Sequence, residues 1–269
     1  MARADSALAL RHAVALGLLQ GPTELLPISS SAHTTLVPWL AGWPYAQLER
    51  ELRRSFEVAL HTGAGLALAL AMRGELHRRP RASDAALLVL SSAPPALAGL
   101  LLGRVLERRL GGPRSIAVGL AVGAVAMAIA DAEAPQGTRT CSQAGLRDGL
   151  ALGIAQAAAL APGVSRSGAA LTAARARGFS RSAAHSLCWA VALPVIAGAS
   201  LLQGSRLLRA GVPARFVRPL LAGLISAFCS TLASAALLRG SLSERPLLPY
   251  SLYRCLLAAG VLARLRRSR

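Results

Sequence analysis

Two polar segments interrupt an apolar sequence, and the first of them carries a carboxylate and an amide on one helical face. Gln20 and Glu24 are four residues apart, so on a helix they are neighbours. The surroundings of Glu24 are otherwise apolar, and a carboxylate inside a membrane is costly unless it is paired. We therefore interpret Glu24 as a functional residue. The alternative is that Glu24 ends a short helix at a wet interface.

A row of hydroxyl groups and an imidazole follows in the same segment, after a proline. The row contains Ser29, Ser30 and Ser31, with His33 two residues further on. If this stretch is helical, Ser30 and His33 are neighbours, and a hydroxyl beside an imidazole can act as nucleophile and base. His33 can equally serve as a general acid. The alternative is that these residues only cap a helix.

The second polar segment has the sequence PGVSRSG, which is typical of an anion-binding turn. Gly163 and Gly168 allow the backbone to approach a ligand, and consecutive amides in a tight turn form a nest for anions. Arg166 supplies a planar fork of donors that matches phosphate oxygens. Ser165 and Ser167 add hydroxyl donors. A solvated loop explains this arginine poorly, because the segment lies between apolar stretches.

Together the two segments hold the groups that phosphoryl chemistry uses: charge neutralisation, a positioned nucleophile and a proton donor. A carboxylate beside phosphates can also hold Mg²⁺. The residues therefore predict hydrolysis of a phosphoanhydride or phosphoester on a lipid within the membrane. A transporter or flippase of a lipid phosphate or small anion is the alternative, because broken helices at membrane depth also serve transport.

The composition predicts one integral membrane domain of packed helices over residues 1–269. Of the residues, 54% are hydrophobic and 16% are charged, and the mean hydropathy is +0.48. This apolar content excludes a disordered chain, and several uncharged runs approach the ~20 residues that cross a bilayer. The predicted spans are Phe56–Met72, Ala85–Gly103, Ser115–Ala130, Ser182–Gly204, Pro219–Leu238 and Pro246–Ala263.

The net charge of +18 comes from arginines that cluster between the apolar runs, as in Arg73–Arg81, Arg104–Arg114 and Arg264–Arg269. Basic loops between spans are typical of an anionic membrane surface, so we expect membrane lipids and no nucleic acid as partners. The apolar stretch Ser6–Leu19 lacks the cleavage pattern of a signal peptide, and we expect it to be retained.

The two polar segments also resemble each other. Gln20 matches Gln156 and, with one gap, Ser30 matches Ser165, at an offset of about half the chain. An odd number of crossings between the copies would give them opposite orientations in the membrane. The corresponding repeats would cover about 6–130 and 145–263.

The motifs resemble those of the undecaprenyl-diphosphate phosphatases of the bacitracin-resistance type, a bacterial membrane family. The first motif of that family is (E/Q)xxxE followed by a proline, a Ser/Thr run and a histidine. Its second motif, PGxSRSG, is present here without a mismatch. The similarity extends over about residues 7–263, nearly the whole chain.

The resemblance implies an all-α integral membrane protein with two inverted-topology repeats, each containing a re-entrant helical hairpin. It implies removal of the terminal phosphate from undecaprenyl diphosphate, which recycles the carrier for cell-wall synthesis and gives bacitracin resistance. It further implies a divalent cation, Mg²⁺ or Ca²⁺, and a site on the outer side of the bacterial cytoplasmic membrane. A homodimer is left open.

The resemblance also implies a role for each motif residue. Glu24 would be a metal ligand or base with Gln20 beside it, Ser30 a nucleophile or phosphate contact, His33 a proton-transfer group and Arg166 the phosphate clamp. Gln20 would contribute to the metal or substrate site. The remaining substrate-binding residues would be Ser29, Ser31, Gly163, Ser165, Ser167 and Gly168.

Three positions depart from the usual family sequence. Gln20 stands where many members have Glu, His61 where Gln is common, and Ser186 where Glu is frequent. Fewer carboxylates would weaken metal binding or change the metal used. We expect packing or interface roles for His61 and His185, and we expect Arg254 to snorkel or to pair internally.

Overall fold

Apolar runs separated by Pro, Gly and Arg give a chain of helices. The computed structural model describes residues 8–76, 82–134, 137–238 and 245–267. The start of the predicted stretch at Ser6 and parts of the basic clusters lie outside these residues. The α-helices are α1 (Leu10–Leu25), α2 (Ser30–Leu40), α3 (Arg50–Ala71), α4 (Arg73–Leu76), α5 (Ala82–Leu110), α6 (Pro113–Glu133), α7 (Leu146–Ala158), α8 (Arg166–Ala176), α9 (Arg181–Ala210), α10 (Ala214–Leu238) and α11 (Leu248–Arg267).

Four helices in the described ranges are long and apolar enough to cross a membrane. They include Asp84–Gly103, Pro113–Glu133, Arg181–Arg209 and Ala214–Leu238. The other two predicted spans fall on α3 and α11, which carry charged residues at one end. The molecule is therefore an all-helical integral membrane protein, as the composition predicts.

Two pairs of short helices are broken where the polar segments lie. Residues 26–29 separate α1 from α2, and residues 159–165 separate α7 from α8. Ser29 and Ser165 precede the second helix of each pair with φ of 75° and 72°, and they are the only non-glycine residues with positive φ in the described part of the chain. Each side chain accepts a hydrogen bond from the backbone amide three residues later, which caps the helix.

These caps correct the predicted register of the internal repeat. Ser29, and not Ser30, occupies the position equivalent to Ser165, and no gap is needed because both this pair and Gln20–Gln156 are 136 residues apart. Ser30 consequently corresponds to Arg166, the first residue of α8. The cap interpretation is confirmed for Ser29, whereas Ser30 has a different partner.

Helices of the first half of the chain pack against helices of the second half. Helix α1 packs on α10 and α7 packs on α5, while α3 contacts both α9 and α10, α9 contacts α5, and α6 contacts α11. The first of these contacts is close because α1 presents glycine to α10. A Cβ on Gly17 would lie 2.6 Å from the carbonyl oxygen of Gly223, so a larger residue would separate the helices.

A buried carboxylate fixes the C-terminal end of α8. Asp131 of α6 accepts hydrogen bonds from Arg175 at 2.8 Å and from Arg181 at 3.0 Å, and also from the backbone amide of Leu247. Arg175 is almost completely buried. This ionic cluster ties α6, α8, α9 and the start of α11 together and so holds the helix whose other end carries Arg166.

Candidate active site

The two broken helix pairs meet at their breaks, and an ion pair joins them there. Arg166, the first residue of α8, donates to one carboxylate oxygen of Glu24, which lies near the end of α1. Glu24 is almost completely buried, whereas the Arg166 side chain remains 21% exposed. The arginine therefore neutralises the carboxylate and still faces an accessible space.

The second carboxylate oxygen of Glu24 accepts hydrogen bonds from two neighbours and lies close to a histidine. The Ser30 hydroxyl donates at 2.8 Å and the Gln20 amide at 3.0 Å, and Nδ1 of His61 lies 3.1 Å away. Charge-assisted hydrogen bonds of this kind are stronger than neutral ones. Both oxygens of Glu24 are thus engaged, and the carboxylate is the centre of the polar network.

The serines of the two breaks form matching pairs. Ser29 and Ser31 lie 3.4 Å apart through their hydroxyl oxygens, and Ser165 and Ser167 lie 3.3 Å apart. Ser167 also donates to the backbone carbonyl of Leu26 at 3.3 Å, which links the second break to the first. These hydroxyls support the geometry around Arg166 as well as lining the space in front of it.

His33 is directed away from the Ser30 hydroxyl. Its Nδ1 lies 2.8 Å from the carbonyl oxygen of Ser29, so this nitrogen carries the hydrogen, and its Nε2 lies 2.6 Å from the Tyr253 hydroxyl. The two rings also stack at 5.7 Å between centroids. The structure therefore brings Ser30 to Glu24 and joins His33 to α11.

Arg254 of α11 is hydrogen-bonded to the backbone of both breaks. Its guanidinium donates to the carbonyl oxygens of Val164 at 2.7 Å and Gly163 at 3.2 Å, and reaches the carbonyl of Pro27 at 3.5 Å. The side chain has no exposed surface. The expected internal pairing is confirmed, and the partners are the backbone carbonyls of both breaks.

The glycines of the second motif approach protein atoms closely. Gly163 has a φ of +93° and packs on α6, and a Cβ on Gly168 would lie 2.7 Å from the guanidinium of Arg254. Glycine is required at the first because of its conformation and favoured at the second because of the close contact. Both positions shape the break that presents Arg166.

Replacing Arg254 with methionine is expected to destabilise the protein by about 2–4 kcal/mol, because the backbone carbonyl groups of Pro27, Gly163 and Val164 lose a donor. The midpoint of thermal unfolding of the detergent-solubilised protein should fall, and phosphate binding at Arg166 should weaken with it. The matched control is Arg266→Met, which changes an exposed arginine at the end of the same helix. Equal unfolding midpoints for the two variants would contradict the role of Arg254.

A cavity of about 370 Å³ lies in front of the ion pair. Its volume is within the range of sites that bind small molecules. The polar wall contains Glu24, Ser29, Ser30, Ser31, Arg53, Glu57, His61, Ser165, Arg166 and Ser167. The other wall includes apolar residues of α3 and α9, such as Val58, Val195 and Ile196. The cavity thus has a polar end that contains Arg166 and an apolar side.

The donors around Glu24 do not fit a divalent cation held by the protein alone. Both carboxylate oxygens are engaged by hydrogen-bond donors, and one of these donors is the cationic Arg166. Gln20 Oε1 is buried without a partner, but a single amide oxygen supplies one of the six or so ligands that Mg²⁺ or Ca²⁺ takes. Within the described ranges, no three His, Cys, Asp or Glu side chains form a metal-binding group.

Sequence reasoning did not anticipate the place of His61 and Tyr253 in this site, and it named no partners for Arg254. His61 was expected to pack or to lie at an interface, but it contacts Glu24 and lines the cavity. Tyr253 and Arg254 act through contacts with residues more than 80 positions away. The sequence indicated these two residues only through the polar pair Tyr253–Arg254 within a predicted span. The packing role expected for His185 is confirmed, since it is buried and contacts Trp189.

Fold and site together define a helical integral membrane protein with a cavity, lined in part by Arg166, at the junction of two broken helix pairs. The family model of the bacitracin resistance protein BacA matches residues 13–260. The chain belongs to this family.

Curated relatives support the same assignment. An undecaprenyl-diphosphatase of Geobacter sulfurreducens is 38% identical over 269 residues, which cover 94% of this chain and 97% of the relative. Proteins of the same name from Geobacter metallireducens and Thermomicrobium roseum are 36% and 38% identical, over 93% and 85% of this chain and 96% and 88% of theirs.

Proposed function

We propose that the protein hydrolyses undecaprenyl diphosphate to undecaprenyl phosphate and inorganic phosphate, and that it thereby gives resistance to bacitracin. The observation that carries this proposal is the Glu24–Arg166 pair at the junction of the two breaks, which presents a cation to the cavity. The name shared by relatives that align over almost the whole chain supports the same activity.

Arg166 binds the terminal phosphate in this proposal. Its guanidinium keeps one edge on Glu24 and offers its remaining N–H groups to phosphate oxygens, so the cation is oriented before the substrate arrives. The hydroxyls of Ser31 and Ser167 lie on the same wall and add donors to the anion. Charge that develops on the phosphate oxygens meets fixed dipoles, which is the main requirement of phosphoryl transfer.

Ser30 is held at the carboxylate side of the cavity. Its hydroxyl donates to Glu24 at 2.8 Å, so its oxygen is oriented for attack or for contact with the phosphate. The polyprenyl chain lies along the apolar wall that Val195 and Ile196 help to form. Burial of the first isoprene units there stabilises binding and keeps water away from the lipid side of the anhydride.

The proposed topology has two inverted repeats with a re-entrant hairpin in each. The supporting observations are the two equivalent caps at Ser29 and Ser165 and the exchanged contacts, α1 with α10 and α7 with α5. Irregular backbone at membrane depth needs burial in protein or a wet cavity, and both breaks lie beside the cavity. We place the protein in the bacterial cytoplasmic membrane with the cavity open to the outer side.

In our proposal a divalent cation would be held by the diphosphate of the substrate. Mg²⁺ keeps several of its waters and is commonly held by substrate phosphates with few protein ligands. The donor set around Glu24 is consistent with this arrangement. When bound, the cation would supply charge neutralisation to phosphate oxygens.

We expect Mg²⁺ or Ca²⁺ to bind weakly to the protein alone and at least tenfold more tightly when pyrophosphate is present. Isothermal titration of the detergent-solubilised protein with each cation, with and without pyrophosphate, measures this difference. A chelator should stop lipid hydrolysis, and added cation should restore it. Tight binding of the cation to the protein without pyrophosphate would contradict the proposal.

The activity itself is tested by phosphate release from C55 and C15 polyprenyl diphosphates with purified protein. Release that depends on the cation and is lost in Arg166→Ala supports the phosphatase. Lipid binding without release would instead favour transport of the lipid phosphate, because transport needs the same anion site but no nucleophile.

A further inference from the structure

One face of α3 brings a second arginine and a second carboxylate to the cavity. Arg53, Glu57 and His61 are spaced four residues apart, so they share a face of the helix, and all three line the cavity. The Nε of Arg53 lies 3.9 Å from a carboxylate oxygen of Glu57. The guanidinium is therefore directed along α3 toward His61, which lies beside Glu24 at the Arg166 end of the cavity.

A buried tyrosine holds Glu57 in place. The Tyr45 hydroxyl donates to Glu57 at 3.3 Å, and the Tyr45 ring is buried with its edge against Phe56. Glu24 accepts a hydrogen bond from the Ser30 hydroxyl in the same manner. The arginine on α3 and the arginine on α8 thus each stand beside a carboxylate that an uncharged hydroxyl orients. A guanidinium arranged in this way needs little further ordering when it binds an anion.

The charge of the substrate calls for more than the Glu24–Arg166 pair supplies. Glu24 offsets the charge of Arg166, whereas a polyprenyl diphosphate carries negative charge on both of its phosphates. Among the described residues that line the cavity, Arg53 is the second arginine. Its distance of 3.9 Å to Glu57 exceeds that of a hydrogen bond, and both side chains are about one third exposed, so solvent weakens this pair. An anion in the cavity can therefore compete for Arg53.

We propose that Arg53 binds the lipid-side phosphate of the substrate while Arg166 binds the terminal phosphate. This inference rests on the proposed function. Arg53 is then the residue that distinguishes a polyprenyl diphosphate, and the polyprenyl monophosphate that remains after hydrolysis, from inorganic phosphate. Glu57 acts through Arg53 and is a positioning residue.

The position of the apolar wall agrees with this order of the two phosphates. Val58 directly follows Glu57 on α3, and it lines the cavity together with Val195 and Ile196 of α9, which packs on α3. The polyprenyl chain lies along this wall in the proposed function. The phosphate that carries the chain consequently lies beside the helix of Arg53.

The experiment uses the two products as inhibitors of the reaction. Release of labelled terminal phosphate from C15 polyprenyl diphosphate is measured at a fixed Mg²⁺ concentration, with either C15 polyprenyl monophosphate or orthophosphate added. The wild-type protein is compared with Arg53→Gln and with the matched control Arg50→Gln. Arg50 begins α3, is exposed and does not line the cavity, so its replacement removes the same charge from the same helix.

We expect Arg53→Gln to raise the inhibition constant of the monophosphate about tenfold and to change that of orthophosphate less than about twofold, since the loss of one hydrogen bond to a charged group has an effect of this size. The kcat/KM for the diphosphate should fall by a similar factor. Arg50→Gln should match the wild type in all three quantities. If Arg53→Gln does not fold, Arg53→Lys replaces it and should raise the monophosphate constant at least about threefold, because lysine keeps the charge but not the planar fork.

Three results would overturn the proposal: an unchanged monophosphate constant in Arg53→Gln, equal rises for the monophosphate and orthophosphate, or the same rise in Arg50→Gln. The second would show a general effect on the cavity, and the third an effect of charge at a distance. Failure of the wild-type protein to release phosphate would reject the proposed function itself. Direct binding of labelled C15 polyprenyl monophosphate to the wild type and to Arg53→Gln then still tests the second phosphate site, so the two failures are distinguished.

Discussion

Arg166→Lys is expected to lower kcat/KM for polyprenyl diphosphate by about 10²–10³-fold, although the charge is retained. Removal of one preorganised donor to a developing oxyanion has an effect of this size. Arg166 uses part of its guanidinium on Glu24 and presents the rest to the cavity. A lysine ammonium is a compact point charge, so it cannot hold the carboxylate and grip two phosphate oxygens with fixed geometry.

The measurement is steady-state phosphate release by Arg166→Lys beside Arg147→Lys. Arg147 is an exposed arginine on α7, which makes it a control for the general replacement of arginine by lysine. We expect the control to keep wild-type activity and both variants to show wild-type thermal unfolding. Near wild-type turnover in Arg166→Lys would reject its assignment as the phosphate clamp.

Arg166→Ala should also affect stability, and this separates the two functions of the arginine. The alanine variant leaves Glu24 buried without its cation, which typically costs about 3–5 kcal/mol. Lysine should recover most of this stability and little of the activity. The two replacements of Arg166 are therefore expected to change stability and catalysis to different extents.

The sequence predicts the helical class, the position of the spans and the residues of the two motifs, because these depend on local composition and spacing. The spans follow from apolar length, and Glu24 and Arg166 follow from residue types that are costly inside a membrane without a function, whereas Ser30 was expected beside His33. The structure brings these three together. Local signals were sufficient here.

Residues that act across the fold were not predictable in this way. His61 is 41 residues from Gln20 and reaches it through the packing of α3 on α1. Arg254 contacts carbonyls that are 90 and 227 residues away. No periodicity in a single sequence encodes such contacts. A lone histidine in a span is more often a packing residue, and nothing in the local sequence showed that His61 lies against Glu24.

The register of the breaks depends on backbone conformation more than on residue type. Three consecutive serines follow Pro27, and any of them could cap α2. The positive φ of Ser29 places its hydroxyl on the amide of Ala32 and leaves Ser30 to face Glu24. If the break were shifted by one residue, a different serine would cap α2 and a different serine would face Glu24. The sequence alone does not determine this register.

Glu24→Gln is expected to lower kcat at least 10²-fold and to leave the concentration of Mg²⁺ or Ca²⁺ required for half-maximal activity unchanged. The amide is the same size, but it removes the charge that orients Arg166. The orientation of Arg166 matters most in the transition state, so kcat should fall more than KM rises.

The cation response decides between two roles of Glu24. If Glu24 is a metal ligand, its replacement would raise the cation concentration required for half-maximal activity, because the lost charge contributes to cation binding. If Glu24 only orients Arg166, its replacement would leave that concentration unchanged, because the diphosphate holds the cation. Glu49→Gln, which removes an exposed carboxylate before α3, serves as the control for loss of one negative charge. A parallel loss of turnover and cation affinity in Glu24→Gln, with no change in the control, would show that Glu24 binds the metal and would contradict the donor arrangement described above.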